Sequence, residues 1–269
     1  MKSVSSKVYN HEYFTEMFHS PDFDQKLSPK SFSKKYQEIA SLLNINSSEH
    51  IVDFACGNGD LSFYLSLLFN PKITAIDYSS SAIDIAKDKL SKFKKHHQSS
   101  KISFLVSSNK HLPKLKNVKA IYLADVVEHL YPNEIEYLLK IFSSWSKNPY
   151  LLIHTDNSLY QFLIRPFLTL LQLIINPSSF NDIKKYLLMD IKMHVNLTNP
   201  RKLQKTLLRQ NYHLVKTIYP KVNINTIYNQ LGPLKKLKFL PKILIKILPK
   251  LNFLLPSFYS LYQYHPNQK

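Results

Sequence analysis

The stretch that decides the fold reads Ile51-Val52-Asp53-Phe54-Ala55-Cys56-Gly57-Asn58-Gly59-Asp60. The chain contains only three glycines, and two of them, Gly57 and Gly59, stand here. Glycine tolerates positive φ and lets a ligand approach the backbone closely. The apolar run over residues 50–55 predicts a buried strand, and residues 61–69 have the apolar spacing of a helix. The stretch therefore predicts a strand, a tight glycine turn and a helix, the nucleotide-binding start of a doubly wound α/β sheet.

Length and cysteine content narrow the class of protein. The 269 residues are enough for one large α/β domain with insertions. The chain has a single cysteine, Cys56, and therefore forms no intrachain disulfide, and residues 1–7 lack an apolar signal segment. Because disulfides belong to oxidising compartments, we expect a cytoplasmic location.

The charge of the chain is high and uneven. The formal net charge is +18, and the 79 residues after Asp190 carry 14 Lys and Arg side chains and no acidic residue. This asymmetry predicts one basic face or tail, and nucleic acid, a membrane surface and a phosphorylated substrate are candidate anionic partners. The alternative explanation of the high charge is a genome whose composition enriches lysine in all its proteins.

A second acidic strand end follows the glycine turn. Residues 73–77 are apolar up to Asp77, which lies 18 residues beyond Gly59 and precedes Tyr78. A carboxylate at the end of the second strand can accept hydrogen bonds from the ribose hydroxyls of an adenosine. The alternative is an ordinary solvated loop acid.

The motif at the first turn is Asp53-x-x-x-Gly57-x-Gly59, and the third glycine of the dinucleotide fingerprint is replaced by Ser62. This difference disfavours pyrophosphate binding. A strand that ends in an acid before G-x-G resembles motif I of the class I S-adenosylmethionine-dependent methyltransferases.

Two further segments carry the same resemblance. Residues 125–130, Asp-Val-Val-Glu-His-Leu, resemble the strand-end motif D-V-x-E-H-L of a group that includes ubiquinone-type O-methyltransferases. Residues 194–196, His-Val-Asn, resemble a segment of sugar and polysaccharide-pathway methyltransferases. Together with the glycine turn and Asp77, these segments cover roughly residues 49–219.

The resemblance implies a Rossmann-like seven-stranded sheet of order 3-2-1-4-5-7-6, with a helical insertion before the last strand. It also implies that S-adenosylmethionine lies across the carboxyl ends of the strands. The third strand end carries Asn109 where the family usually has an acid. The cofactor-binding residues are then expected to be Asp53, Ala55, Gly57, Gly59, Asp77, Tyr78, Asn109 and Asp125.

For the chemistry, we expect methylation of a small molecule, most simply O-methylation of a glycan, a lipid-linked intermediate or a phenolic metabolite. A general base helps when the acceptor is oxygen or nitrogen. His129 is the first candidate because it follows the fourth strand, and His154 and His194 are the second and third. The alternative for His129 is a packing or hydrogen-bonding role beneath the site.

The pattern of the chain predicts four regions. Residues 1–48 form an N-terminal lid and helices, including an amphipathic helix over 31–43. Residues 49–219 form the cofactor-binding core, with a helical cover at 158–193. The apolar run over 159–175 is too short for a transmembrane helix and is expected to cover the substrate pocket or to form an interfacial helix. Residues 220–257 form a basic apolar insertion, and residues 258–269 form the last strand and tail. Pro132 and Pro200 suit the first turns of two helices in the core.

Partners follow from the same pattern. In residues 221–257, lysines alternate with apolar side chains, which fits either peripheral binding to an anionic membrane or a basic lid on the pocket. An RNA methyltransferase is a rival class because of the net charge. It is less expected because small-RNA 2′-O-methyltransferases use a metal cluster of the type Glu-x-x-His. In this chain the residue three positions after Glu128 is Tyr131, so that cluster is absent and no metal site is predicted. A non-catalytic binding module is the third alternative.

Overall fold

The computed structural model describes residues 20–108, 111–220, 246 and 248–266. Seven strands of these residues form one sheet with flanking helices. In chain order the strands are β1 (His50–Phe54), β2 (Lys72–Asp77), β3 (Lys101–Val106), β4 (Val118–Ala124), β5 (Tyr150–Asp156), β6 (Tyr212–Ile218) and β7 (Ser257–Tyr264).

The strands lie in the spatial order β3-β2-β1-β4-β5-β7-β6, which confirms the predicted topology. Strands β3, β2, β1, β4 and β5 pair in parallel, and β7 runs antiparallel between β5 and β6. The carboxyl ends of the five parallel strands therefore meet at one edge, where an open α/β sheet places its ligand.

The longer helices connect and cover these strands. They are α1 (Lys34–Ala40), α2 (Asp60–Phe69), α3 (Ser80–His96), α4 (Pro132–Ser144), α5 (Arg165–Ile175), α6 (Phe180–Met193) and α7 (Pro200–Leu208). Short turns of 3-10 helix occupy Pro29–Ser31, Val127–His129, Pro177–Ser179 and Leu248–Leu254, and a π-helical turn spans Tyr160–Ile164.

Local sequence explains where several helices start. The Ser79 hydroxyl accepts a hydrogen bond from the Ala82 N–H (3.2 Å) and caps α3. Pro132 begins α4, and Pro200 begins α7 behind Asn199, whose side chain accepts from the Lys202 N–H. These starts agree with the sequence pattern, because proline at the first turn loses no helical hydrogen bond.

Helix α1 is shorter than the predicted helix over 31–43. A 3-10 turn, Pro29–Ser31, precedes it, and the Ser33 hydroxyl accepts from the Lys35 N–H at its start. The helix ends before Ser41, so that Leu42 packs into the core from the following turn. Serine side chains at both ends account for the difference, since serine favours caps over helix interiors.

Both faces of the sheet are covered by apolar side chains. Helices α1, α2 and α3 cover one face, where Ile39, Phe63 and Ile83 are fully buried. Helices α4 and α7 cover the other face, where Leu138 and Leu203 are buried. A parallel sheet requires cover on both sides, and this arrangement leaves the carboxyl edge of the strands accessible.

Two predicted regions lie largely outside the described residues. Residues 1–19, which include most of the expected N-terminal lid, are not described, and neither are residues 221–245 of the expected basic insertion. The expected cover at 158–193 consists of the π-helical turn, α5 and α6. In the ranges that the structure describes, no helix has the length and apolar character needed to cross a bilayer. The proposed division into four regions stays a prediction.

Candidate active site

The glycine turn after β1 adopts left-handed backbone conformations. Gly57 and Gly59 have φ of 53° and 84°, as predicted for residues that only glycine fits easily. A Cβ on Gly59 would lie 2.7 Å from the ring of Phe104, so the glycine also allows β3 to pack closely. Ala55 has φ of 56° and adopts the same unfavourable region with a side chain. The turn is therefore built from three positive-φ residues at the end of β1.

Asp77 and the glycine turn meet at the carboxyl edge. The Asp77 carboxylate accepts hydrogen bonds from the N–H groups of Gly57 (2.8 Å) and Ser79 (2.8 Å), and the Tyr78 N–H also contacts it. Burial raises the pKa of Asp77, although these backbone bonds oppose the shift. A carboxylate has about four acceptor sites, so Asp77 keeps acceptor capacity for ribose hydroxyls. These residues thus fit the adenosine part of S-adenosylmethionine.

Asp53 supports the turn from below. Its carboxyl group is buried and accepts a hydrogen bond from the Ser62 hydroxyl in α2 (2.6 Å). Burial raises the pKa of Asp53 to about 7, with a smaller contribution from the charge of Asp77. The bond ties the start of α2 to β1 and thereby fixes the turn between them. Asn109, another predicted cofactor residue, lies outside the described residues.

A buried ion pair closes the other side of the turn. The Lys89 ammonium on α3 donates to Asp60 Oδ1 (2.8 Å) and to the Ser20 hydroxyl (2.7 Å). The Ser20 hydroxyl donates to Asp60 Oδ2 (2.8 Å) and accepts from the Asn58 side chain (3.1 Å). This network joins the N-terminal part of the described chain to the turn, and sequence patterns did not indicate it.

Asp125, at the end of β4, is held by two cationic or basic partners. Its Oδ1 contacts His154 Nδ1 and its Oδ2 contacts the Lys35 ammonium from α1. Its backbone N–H donates to the His154 carbonyl oxygen (3.0 Å) while φ is 58°. Burial raises the pKa of Asp125, but the charge of Lys35 and the contact with His154 outweigh burial and hold the pKa below its usual range. Asp125 is therefore ionised, and 35% of its side chain remains exposed.

His154 on β5 lies between this carboxylate and an aromatic ring. The Tyr259 ring of β7 packs against the imidazole with 4.4 Å between the ring centroids. Burial and a hydrogen bond with Glu38 of α1 raise the pKa of Tyr259 far above its usual value, so Tyr259 stays a neutral phenol. Lys35, Glu38 and Tyr259 were missed by sequence reasoning because they come from distant parts of the chain and belong to no motif.

His129 and His194 form a second histidine group. Their ring centroids lie 4.9 Å apart, and His129 Nδ1 lies 3.1 Å from the carbonyl oxygen of Met193. Burial, together with His194, lowers the pKa of His129 to about 4. The structure thus brings two of the three predicted catalytic histidines together, and the third, His154, has the carboxylate partner.

Glu128 lies where the strand-end motif meets the His-Val-Asn segment. Its buried carboxyl group accepts from the Thr155 hydroxyl of β5 (2.7 Å), and burial raises its pKa well above the usual range. The Asn196 N–H donates to the Glu128 carbonyl oxygen (3.0 Å), and the Asn196 side chain donates to the Val127 carbonyl oxygen (3.3 Å). The two motifs therefore hold the ends of β4 and β5 in place beside the histidines.

Part of the chain that contains this site resembles a known protein family. Residues 51–148 match the family model of a methyltransferase domain. No curated protein sequence matches the chain. The matched segment includes the glycine turn, Asp77 and the Asp125–His129 strand end, whereas the His-Val-Asn segment at 194–196, which also carries the predicted resemblance, lies outside it.

Several solved structures share the fold. Phosphoethanolamine N-methyltransferase 2 of Haemonchus contortus, in complex with phosphomonomethylethanolamine and S-adenosylhomocysteine, is 10% identical with a TM-score of 0.59, over 98% of this chain and 58% of that chain. Magnesium protoporphyrin IX methyltransferase of Synechocystis PCC 6803 is 14% identical with a TM-score of 0.55, over 97% and 100%. The methyltransferase domain of bacterial CtHen1-C is 18% identical with a TM-score of 0.55, over 86% and 97%.

These identities are low, so the structural likeness establishes the fold alone. The chain spans 58% of the length of the Haemonchus protein. The family match and the fold together confirm the predicted resemblance to class I methyltransferases. The Haemonchus protein has also been solved in complex with S-adenosyl-L-methionine. The narrower likeness to the ubiquinone-type group stays a prediction.

Proposed function

We propose that the chain, whose residues 51–148 match the family model of a methyltransferase domain, uses S-adenosylmethionine to transfer a methyl group to a small-molecule acceptor. The observation that supports this most directly is the contact between the Gly57 N–H and the Asp77 carboxylate (2.8 Å) at the carboxyl edge of the sheet. Gly57 and Asp77 lie at the ends of two different strands, and both are expected to contact the cofactor. Their hydrogen bond brings them together in the candidate site. The Asp125–His154 pair supplies the chemistry beside the end of β4.

The cofactor supplies a methyl group that is already activated on a positively charged sulfur. The chain's own task is to hold and align the reactants, and alignment alone can contribute about 7–11 kcal/mol. In this proposal, Asp77 accepts hydrogen bonds from the ribose hydroxyls and the turn at Ala55–Gly59 lies against the adenosine. Asp53 and Ser62 keep that turn in place through their hydrogen bond.

We assign the general base to His154. Asp125 is ionised and contacts Nδ1, so Nδ1 carries the proton and Nε2 is the basic nitrogen. A carboxylate that orients an imidazole in this way also stabilises the imidazolium that forms when the base accepts a proton. Asp125 contacts Lys35 and His154 through its two carboxylate oxygens, which supports a positioning role for Asp125.

His129 fits the role of base less well. A base works best when its pKa lies near the operating pH, and the pKa of His129 is lowered to about 4. Its Nδ1 lies beside the Met193 carbonyl oxygen, which fits a donated hydrogen bond that fixes the end of α6. We therefore propose that His129 and His194 shape the acceptor side of the site.

The acceptor class depends on the residues of the site and not on the fold. Solved structures with this fold include a phosphoethanolamine N-methyltransferase, a geranyl diphosphate C-methyltransferase and a magnesium protoporphyrin IX methyltransferase. One fold therefore serves unrelated acceptors, and the acceptor has to be argued from the site. A histidine base favours an oxygen or nitrogen acceptor, which fits a glycan, a lipid-linked intermediate or a phenolic metabolite.

Two measurements test the proposal. Calorimetric titration of the full chain with S-adenosylmethionine and S-adenosylhomocysteine is expected to show binding of both, and no binding would overturn the enzymatic proposal in favour of a non-catalytic module. Incubation with methyl-labelled S-adenosylmethionine and cell extract follows, with the product separated into organic-soluble, water-soluble small-molecule and RNA fractions. Label in either small-molecule fraction is expected, and label confined to RNA would replace the acceptor class.

A further inference from the structure

The segment between β5 and α7 contains two helices that leave apolar side chains in solvent. Helix α5 is followed by the short turn Pro177–Ser179 and then by α6. The Arg165 guanidinium at the start of α5 forms an ion pair with Asp190 near the end of α6. The chain therefore doubles back on itself, and we call residues 160–193 the α5–α6 hairpin.

This hairpin concentrates the exposed apolar surface of the described chain. Of the sixteen large apolar side chains that are exposed in the described residues, eight lie within 162–191, each exposed by 51–74%. Single exposed apolar residues are normal on protein surfaces, whereas a concentration of them marks an interaction site. The eight residues are Phe162, Leu163, Phe167, Leu170, Ile174, Phe180, Leu188 and Ile191.

The exposed residues follow helical spacing. Phe167, Leu170 and Ile174 recur at intervals of three and four residues on one face of α5. Phe180, Leu188 and Ile191, spaced by eight and three residues, also lie towards one face of α6. Among the side chains of α5 that the structure describes, none is buried, so this helix adds an apolar face without contributing to the core.

Positive charge accompanies the apolar face. Lys184 lies on the same face of α6 as Phe180 and Leu188, and Lys185 and Lys192 are also exposed. The carboxylate of Asp190 is neutralised by Arg165 within the hairpin. Beyond Asp190 the sequence contains no acidic residue. A surface with apolar and lysine side chains side by side is complementary to anionic headgroups above an acyl layer.

Length decides how the hairpin could meet a membrane. Helix α5 has 11 residues, which corresponds to about 16 Å at 1.5 Å per residue. The hydrocarbon core of a bilayer is about 30 Å thick. A helix of this length lies in the plane of the interface, with its apolar face in the upper acyl region.

We propose that the α5–α6 hairpin is a docking surface for an anionic lipid bilayer. Apolar side chains of both helices enter the interface, and Lys184, Lys185 and Lys192 contact the headgroups. The surface differs from the one expected at residues 221–257, because it lies on α5 and α6 beside the candidate active site. The hairpin closely follows the carboxyl end of β5 in the chain and ends at Met193. The carbonyl oxygen of Met193 lies 3.1 Å from His129 Nδ1. A docked hairpin therefore sets the acceptor side of the site against the membrane.

Liposome flotation of the full chain tests this surface without cofactor, so that the result is independent of the proposed methyl transfer. The wild-type protein is expected to float with vesicles of phosphatidylcholine containing one third phosphatidylglycerol, and far less with phosphatidylcholine alone. The triple substitution Phe167→Ser, Leu170→Ser and Ile174→Ser is expected to lower the partition coefficient at least tenfold. Because these side chains are exposed, the fold should tolerate the change, which a thermal melt checks.

Matched controls separate the surface from general hydrophobicity and charge. Leu208→Ser, at a side chain 50% exposed on α7, should leave flotation unchanged. The pair Lys184→Glu and Lys185→Glu should abolish the preference for phosphatidylglycerol. Equal flotation of the triple variant and the wild type would overturn the proposal.

Two other occupants of the surface would also overturn it. The first is a second copy of the chain, revealed by a dimer in analytical ultracentrifugation that the triple variant dissociates. The second is the chain's own residues 221–245, revealed when a photo-crosslinker at position 170 reacts with that segment equally with and without vesicles.

Discussion

The cofactor half of the site and the histidine half are assembled in different ways. The cofactor half comes from one contiguous turn, Ala55–Gly59, and the next strand end, Asp77, and its contacts are mostly to backbone N–H groups. The histidine half joins Lys35, Asp125, His154 and Tyr259, which are scattered over most of the chain and meet through side chains. Backbone contacts depend on conformation, which leaves a glycine signature, whereas side-chain contacts depend on packing and leave no local pattern.

The largest expected effect concerns the histidine half. His154→Asn should lower the rate of methyl transfer by about 10²–10⁴-fold, the usual contribution of a general base. The affinity for S-adenosylmethionine should stay within twofold, because His154 is assigned to the acceptor. Initial rates of labelled-methyl transfer and calorimetry measure the two quantities separately.

The comparison variant for that measurement is His129→Asn, which should lower the rate less than tenfold, and His111→Asn at an exposed position should have no effect. A loss that is larger for the His129 variant than for the His154 variant would return the role of base to His129.

The next effect concerns the cofactor half. Asp77→Ala should weaken S-adenosylmethionine binding by about 100-fold, because each hydrogen bond to a charged group contributes about 1.5–3 kcal/mol. The dissociation constant from calorimetry is the readout. Asp84→Ala removes an exposed carboxylate from the neighbouring helix α3 and serves as the matched control. An unchanged dissociation constant in the Asp77 variant would disprove its contact with the ribose.

A smaller effect sharpens the conformational basis of the turn. Gly59→Ala should destabilise the fold by about 1–3 kcal/mol, because φ is 84° and the added Cβ would lie 2.7 Å from Phe104. Ala55→Gly should have the opposite sign, a gain of about 0.5–1 kcal/mol, because it relieves the positive φ of Ala55. Urea denaturation measures both. If both variants lose stability equally, backbone strain at Ala55 is not the cause.

A further effect of similar size is a pH dependence within the cofactor half. The pKa of Asp53 is about 7 in the folded protein and 3.8 in the reference state, so the folded protein retains a proton that the unfolded chain has lost. Stability should therefore fall as pH rises through 7, by about 1.4 kcal/mol between pH 6 and pH 8. The difference in unfolding free energy between the wild type and Asp53→Asn should change by this amount. A difference that is constant with pH would contradict the shifted pKa.

Much of the fold could be predicted because it depends on local signals. Two glycines in a glycine-poor chain located the turn, and Pro132 and Asn199-Pro200 located helix starts. Asn211, a residue type that tolerates the left-handed region, has a φ of 62° shortly after α7. These signals are readable because each reflects a constraint on one residue's backbone.

The partners of the predicted residues could not be predicted. His154 was one of three candidate bases, and its contact with Asp125 depends on the pairing of β4 with β5. The burial of His129, which lowers its pKa, depends on how α6 ends against the strand edge. The sequence ranked these histidines by position in a motif, whereas their chemistry depends on what surrounds them.

The amino-acid sequence by itself determined the α/β class, the glycine turn and the acid that faces it, whereas the strand order was implied by the resemblance to a known family. Backbone preferences and apolar periodicity are written residue by residue, so they survive without a structure. The tertiary structure alone decided that Lys35 and Tyr259 join the Asp125–His154 pair and that the apolar faces of α5 and α6 remain uncovered. Contacts between residues about a hundred positions apart depend on how whole elements pack, and no short stretch of the chain contains that information.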